Sequence, residues 1–149
     1  MKLPLITKLN APIIIHSASH LKQKGQLARS KNNLIYLDID DAYIHELFPL
    51  LQDPQIKMPD YFDDGSVGAH ITVIYPEENK SVNAHDLHQE HSFFVKDIVA
   101  AEIALKTYYV LLIESPSLLR LRRKYNLPDL LSFKGYSIGF HITIGTMRK

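Results

Sequence analysis

Two short stretches of the chain each place a histidine and a threonine two residues apart. The first is SVGAHITV at residues 66–73, and the second is SIGFHITI at residues 137–144. The copies agree at the Ser, Gly, His, Ile and Thr positions. This agreement predicts either two related core strands, whose histidines are merely satisfied by hydrogen bonds, or two halves of one site.

The spacing of these residues predicts which way their side chains point. Side chains alternate along a β-strand, so His70 and Thr72 share one face, and the apolar residues between and after them share the other. The same holds for His141 and Thr143. If the two strands lie close together, two imidazoles and two hydroxyls converge on one cleft.

Two histidines and two threonines in one cleft are suited to phosphoryl transfer. Histidine titrates near neutral pH, so one ring can act as a base while the other acts as an acid. Threonine hydroxyls on stiff strands can donate to the non-bridging phosphate oxygens, where charge builds in the transition state. Opening a cyclic phosphodiester needs one water, one base and one acid. We therefore expect no cofactor and no metal ion.

Paired His-x-Thr motifs within apolar strands resemble those of the two-histidine (2H) phosphoesterase superfamily. The similar proteins include the bacterial 2′-5′ RNA ligase-like proteins and the RNA 2′,3′-cyclic phosphodiesterases, and the resemblance covers about residues 33–147. It implies an α+β fold that is pseudo-symmetric and two-lobed, with antiparallel sheets around a central cleft and helices outside. It also implies an RNA end or a small nucleotide as the substrate.

The resemblance assigns roles to the four motif residues. His70, Thr72, His141 and Thr143 are expected to be catalytic. By analogy, His141 is the base toward the attacking water, and His70 is the acid toward the leaving oxygen.

Periodicity and turn residues predict a mixed chain of strands and helices. Strands are expected at residues 33–40, 68–75, 93–104, 106–114 and 137–147. Helices are expected at residues 41–52, interrupted or ended near Pro49, at residues 83–91, and after the Ser115-Pro116 helix start. No glycine-rich phosphate loop follows a strand, so α+β with antiparallel pairing is favoured over a doubly wound nucleotide-binding fold.

The first 32 residues are predicted to be an irregular, basic N-terminal extension. Six lysines and arginines precede the first acid, Asp38, and prolines and a glycine interrupt the segment. Such a segment is typical of a solvated extension, with contact to a phosphate backbone as the alternative. Residues 33–149 are then a single domain.

Four residues near the motifs are candidates for substrate binding. Tyr61 and Phe62 precede the first motif, and Lys134 and Tyr136 precede the second. An aromatic ring at the edge of a cleft could stack on a base, and a lysine could hold a phosphate. The alternative is ordinary packing of two loops.

Two further clusters have competing interpretations. His85, His88 and His91 could suggest a metal site, but steps of three along a helix spread the rings over about 120°, so surface histidines are favoured. A basic group on the third helix could face RNA or could simply be a solvated face; its members are Arg120, Arg122, Arg123 and Lys124.

Composition sets outer limits on function. The 149 residues fit one domain, and a net charge of +1 argues against a protein that wraps duplex nucleic acid. The chain has no cysteine, which excludes disulfides and thiolate chemistry. Apolar runs are too short to span a bilayer, so we expect no membrane partner. We also expect the protein to be cytoplasmic and monomeric. A nucleotide-binding module with little turnover and a metal-dependent hydrolase are the competing functions.

Overall fold

The computed structural model describes residues 2–149. Its strands form two four-stranded antiparallel sheets and a two-stranded hairpin. The strands are β1 (Leu5–Lys8), β2 (Lys24–Arg29), β3 (Ile35–Asp38), β4 (His70–Ile74), β5 (Glu90–Ser92), β6 (Phe94–Ile103), β7 (Lys106–Glu114), β8 (Leu131–Phe133), β9 (Tyr136–Ile138) and β10 (His141–Arg148). The α-helices are α1 (Pro12–Ala18), α2 (Ala42–His45) and α3 (Pro116–Lys124). Among residues 2–149, no helix has the length and hydropathy needed to cross a membrane.

The order of the strands puts the two motif strands at the seam between the sheets. The first sheet has the order β1-β6-β7-β10, and the second has the order β4-β3-β2-β5. Strands β4 and β10 are edge strands of different sheets, and they contact one another. Helix α1 contacts β6, and α2 contacts β10. Helix α3 contacts β4 and β5. The α+β class predicted from the sequence is confirmed.

The alternation predicted for the motif strands is present in both. Ile71 and Val73 on β4, and Ile142 and Ile144 on β10, are completely buried in the core. Burying side chains of this size stabilises the fold by roughly 1.5–3 kcal/mol each. The core therefore fixes which face of each strand carries its histidine and threonine.

The N-terminal segment is ordered, so the irregular structure predicted for residues 1–32 is wrong over the described residues 2–32. Strand β1 pairs with β6, and β2 lies between β3 and β5 inside the second sheet. Strand β2 buries only Leu27 completely, and β1 buries none of its residues. Pairing with distant strands stabilises both elements, and local sequence patterns carry little sign of it. The division of the chain at residue 32 stays a prediction.

Two other predicted elements differ from the structure. Residues 83–91 do not form a helix: a 3₁₀ turn, Ala84–Asp86, precedes β5, and His88 has a positive φ of 70°. Pairing with β2 makes residues 90–92 a strand. The predicted last strand is divided into β9 and β10. The predicted helix interruption near Pro49 is confirmed, since α2 is followed by a separate 3₁₀ helix, Phe48–Leu51. Strands β6 and β7 and the Ser115 cap of α3 are also confirmed.

Arg122 lies in the core rather than on a solvated or RNA-facing surface. Its side chain is completely buried and forms a bidentate ion pair with Glu78, with N–O distances of 2.9 and 2.7 Å. All five N–H donors of the guanidinium are used. The remaining acceptors are the backbone carbonyls of Val73, Pro128 and Leu130. Arg122 thereby ties α3 to the first motif strand and to the segment that precedes β8.

The other basic residues of α3 have different surroundings. Arg123 pairs with Asp129 at 2.8 Å, and Lys124 pairs with Asp86 at the same distance. Arg120 is exposed. The predicted basic group is therefore not one continuous surface.

Replacing Arg122 by Met should strongly destabilise the fold. The substitution leaves Glu78 and three carbonyls without their partner, and breaking a buried ion pair in this way costs about 3–5 kcal/mol. Urea unfolding measures the change in the free energy of unfolding. The matched control is Arg120→Met on the exposed side of α3, which should change stability by at most about 0.5 kcal/mol. Equal stability of the two variants would contradict the anchoring role of Arg122.

Candidate active site

The same hydrogen bond orients both motif histidines. His70 Nδ1 lies 2.8 Å from the carbonyl oxygen of Gly68, and His141 Nδ1 lies 2.9 Å from that of Gly139. A carbonyl can only accept, so Nδ1 carries the hydrogen in each ring. In the neutral form, each Nε2 therefore holds the free lone pair and can act as a base.

The glycine shared by the two copies supplies this carbonyl in both motifs. Gly68 has a positive φ of 72°, and a Cβ there would lie 2.6 Å from Asp41 Oδ1. The same Asp41 oxygen accepts from the backbone N–H of Ala69 at 2.9 Å. A side chain at residue 68 would thus be strained and would displace Asp41. Gly139 has an ordinary φ, and a Cβ at that residue would point into open space.

Both motif threonines lie deep in the same cleft as the histidines. Thr72 and Thr143 are each 6% exposed, and both line a cavity of about 400 Å³ together with His70 and His141. The sequence-based expectation that two imidazoles and two hydroxyls converge is met by this geometry. A reacting group bound in the cavity would have both pairs around it.

Two tyrosines accompany the threonines. The Tyr61 hydroxyl neighbours Thr143, and the Tyr75 hydroxyl neighbours Thr72. Burial raises the pKa of both tyrosines, so their hydroxyls stay protonated at neutral pH. The Tyr61 ring also meets His70 edge-on, with 4.7 Å between the ring centres.

Tyr75 is held in place through Arg122. Its backbone N–H donates to Glu78 Oε1 at 3.0 Å, and the same carboxylate is paired with Arg122. The buried ion pair therefore fixes the position of a residue beside Thr72. This link connects the core anchor of α3 to the cleft.

Burial lowers the pKa of both histidines below the ordinary value of 6.5. For His70, desolvation has the largest effect, the Gly68 carbonyl opposes it, and the neighbouring His141 lowers the pKa further. For His141, desolvation is again dominant, and the Gly139 carbonyl opposes it. A positive charge on one ring therefore makes a charge on the other less favourable.

Of the four predicted substrate-binding residues, only Tyr61 lines the cavity. Phe62 stacks on His45 at 4.5 Å and lies in a separate shallow depression. The Lys134 ammonium lies 5.1 Å from the centre of the Phe133 ring, in the turn between β8 and β9. Tyr136 pairs with Phe133 in that hairpin, and the Lys2 ammonium lies over its ring. A substrate contact for the last three stays a prediction.

Several cleft residues were missed by the sequence reasoning. Tyr75 directly follows β4, and Tyr108 lies on β7, whose Val110 pairs with Thr143. The sequence shows the alternation of side chains along each strand, but it does not show which strand lies next to β10. The pairing of distant strands decides that, and the two copies alone do not reveal it.

The three histidines at residues 85, 88 and 91 do not form a common face. His85 is in the 3₁₀ turn and His91 is in β5, where its Nδ1 lies 2.8 Å from Ser117 Oγ. Within residues 2–149, no three histidine, aspartate or glutamate side chains are grouped closely enough to hold a metal ion.

Comparison with known proteins identifies a family. The family model described as "Swiss Army Knife, 2H phosphoesterase domain" matches residues 35–149, which include both His-x-Thr motifs. The match begins after β1, α1 and β2. Comparisons with curated proteins and with solved structures give no significant match.

Changing the two shared glycines to alanine should have unequal effects. Gly68→Ala introduces a side chain at positive φ and against Asp41, so it should move His70 and lower kcat/KM at least about tenfold. Gly139→Ala is the comparison for backbone strain, because its φ is ordinary and no protein atom of residues 2–149 lies within 4 Å of the added carbon, although Gly139 itself lines the cavity. Kinetics on a cyclic phosphodiester, with circular dichroism to check folding, measure the difference. Ring NMR signals of His70 that are the same in Gly68→Ala as in the wild type would contradict the role assigned to Gly68.

Replacing His141 by Gln should raise the pKa of His70. The substitution removes a neighbouring positive charge that lowers the pKa of His70 in the wild-type protein. Titration of the His70 ring protons by NMR in both proteins measures the shift. An unchanged pKa would show that the two rings do not interact.

Proposed function

Because the chain belongs to the 2H phosphoesterase family, we propose that it is a metal-independent phosphodiesterase. Its proposed reaction is the opening of 2′,3′-cyclic phosphates, or the hydrolysis of related 2′-5′ phosphodiesters, at RNA ends or on nucleotides. The observation that carries the proposal is the pair of backbone-anchored histidines facing one cavity with two threonines.

The reaction follows from the protonation of the two rings. His141 Nε2 takes a proton from the attacking water, whose oxygen forms the new bond to phosphorus. The bond from phosphorus to one ring oxygen breaks, and His70, protonated at Nε2, gives its proton to that oxygen. The product is a phosphomonoester beside a free hydroxyl. Solvent then exchanges the protons on the two rings and restores the starting state.

The threonines stabilise the charge that develops on the non-bridging oxygens. Thr72 and Thr143 line the cavity on strands whose other face is buried in the core, so their hydroxyls can donate to the phosphate from preset positions. Donors fixed in this way need no reorganisation during the reaction, and removing one such donor typically costs about 10²–10³ in kcat. Thr72 with Tyr75 and Thr143 with Tyr61 form two equivalent pairs.

A binding module is the second candidate, and one observation favours it. Burial lowers the pKa of both histidines. At neutral pH, protonation of either ring in the free protein is therefore less favourable than for an ordinary histidine. Without that proton, the cleft could bind a nucleotide or RNA end with little turnover. A bound phosphate would oppose this effect, because its negative charge favours the protonated imidazole.

Replacing either histidine by alanine should abolish turnover without unfolding the protein. Wild type, His70→Ala and His141→Ala are compared on 2′,3′-cyclic AMP and on a short RNA with a cyclic phosphate end, in excess EDTA. We expect chelator-resistant opening by the wild type and a loss of at least about 10²-fold in each variant. Phosphorus NMR identifies the 2′ or 3′ product.

The outcomes separate the candidate functions. Wild-type rates in either variant would contradict the acid–base mechanism. Tight binding of these compounds without turnover at any pH between about 5 and 8, a range chosen around the ordinary pKa of histidine, would favour the binding module. Activity lost in EDTA and restored by a divalent metal would support the metal-dependent hydrolase instead.

A further inference from the structure

The wall of the cleft beside the second motif is an apolar sheet surface. Across the first sheet, Thr143 is paired with Val110 on β7, and Val110 is paired with Val99 on β6. Paired residues project from the same face of an antiparallel sheet. The face that carries the catalytic threonine therefore continues as valine side chains, and all three residues line the cavity.

The N-terminal strand extends this wall to the mouth of the cleft. Tyr108 is paired with Ala101, and Ala101 with Ile6 on β1. Ile6 lines the cavity, as does Leu3, which lies just before β1. The carbonyl of Lys2 accepts a hydrogen bond from the N–H of Ser137 at 2.8 Å, which fixes the start of this segment against β9.

Large apolar side chains at the mouth are left exposed to solvent. Leu3 is 67% exposed, Ile6 is 49% exposed, and Leu130 is 41% exposed. All three line the cavity that contains the two histidines. Exposed apolar surface continuous with a reactive site is typical of a binding surface for an apolar group.

Charged side chains are missing from this cavity. Apart from the two histidines, its lining among residues 2–149 includes no lysine, arginine, aspartate or glutamate. Three lysines near its edge lie over aromatic rings, 5.1–5.6 Å from the ring centres. They are Lys2, Lys106 and Lys134. Contacts between phosphates and lysine or arginine dominate the affinity of proteins for nucleic acid. Within the described part of the chain, the cavity lining offers no lysine or arginine to the further phosphates of an RNA chain.

We propose that this wall binds the non-reacting part of the substrate, and that this part is an uncharged, alkyl-like group. The preferred substrate is then a five-membered cyclic phosphate with an apolar substituent, rather than an RNA chain. Leu3 and Ile6 determine this specificity. The inference rests on the proposed function, because it takes the histidine pair as the reacting site.

A substrate series with one reacting ring tests the proposal. The parent is glycerol 2,3-cyclic phosphate, and its 1-O-butyl ether adds only an apolar chain. Burying one CH₂ is worth about 0.8 kcal/mol, or about fourfold. For the wild-type protein, we expect kcat/KM to be at least about tenfold higher for the butyl ether than for the parent. We also expect it to exceed the values for 2′,3′-cyclic AMP and for RNA with a cyclic end.

Variants of the segment that contains Leu3 and β1 locate the effect. The double variant Leu3→Ser/Ile6→Ser should reduce the ratio of the butyl ether to the parent to near one. The matched control is Leu5→Ser, because Leu5 lies between Leu3 and Ile6 and is 65% exposed but does not line the cavity. This control should keep the full ratio.

The outcomes distinguish the specificity from the mechanism. If the wild type turns over the butyl ether and the parent with equal kcat/KM, or prefers RNA or cyclic AMP, the apolar specificity is overturned. Turnover of the parent in the same experiment still supports the proposed phosphodiesterase function. If no compound reacts, NMR titration of the inactive His70→Ala variant with the parent and the butyl ether tests the wall alone. Tighter binding of the butyl ether that is lost on adding Leu3→Ser/Ile6→Ser supports the inference, and equal binding overturns it.

Discussion

Hydrogen bonds from each imidazole Nδ1 to a backbone carbonyl orient the two motif histidines. The bonds from His70 to Gly68 and from His141 to Gly139 point both Nε2 atoms toward one cavity and fix the same tautomer in each ring. Each carbonyl belongs to a glycine two residues before its histidine, and the buried isoleucines that follow hold each strand in the core. The repeated octapeptide therefore supplies both the histidine–threonine pairs and the contacts that orient them.

Contacts outside the repeat bring the two copies together. Strands β4 and β10 belong to different sheets, so their approach depends on the packing of those sheets. The N-terminal segment precedes the family match, yet it provides β2 to one sheet and β1 to the other. Variation in β1 can thus alter one wall of the cleft without changing the histidine pair.

Elements whose signals are local were predictable from the sequence. Alternation of apolar and polar residues predicts the extent of β7 and which face of each motif strand is buried. The serine–proline pair predicts the capped start of α3. Prediction failed where distant pairing decides the outcome, as in β1, β2 and β5. Arg122 was also misplaced, because a buried arginine is recognisable only from its partners Glu78 and Val73. The convergence of the histidines was predicted, whereas the apolar wall beside them required the register of β6, β7 and β10.

The most direct test of a single two-histidine site is a titration with orthovanadate, an oxyanion that adopts the five-coordinate geometry expected of the transition state. NMR of the imidazole nitrogens follows both rings as the oxyanion is added. We expect one equivalent to shift the Nε2 signals of His70 and His141 together, while each Nδ1 keeps its bonded hydrogen. A shift of only one ring, or separate saturation of the two rings, would contradict a shared phosphate site.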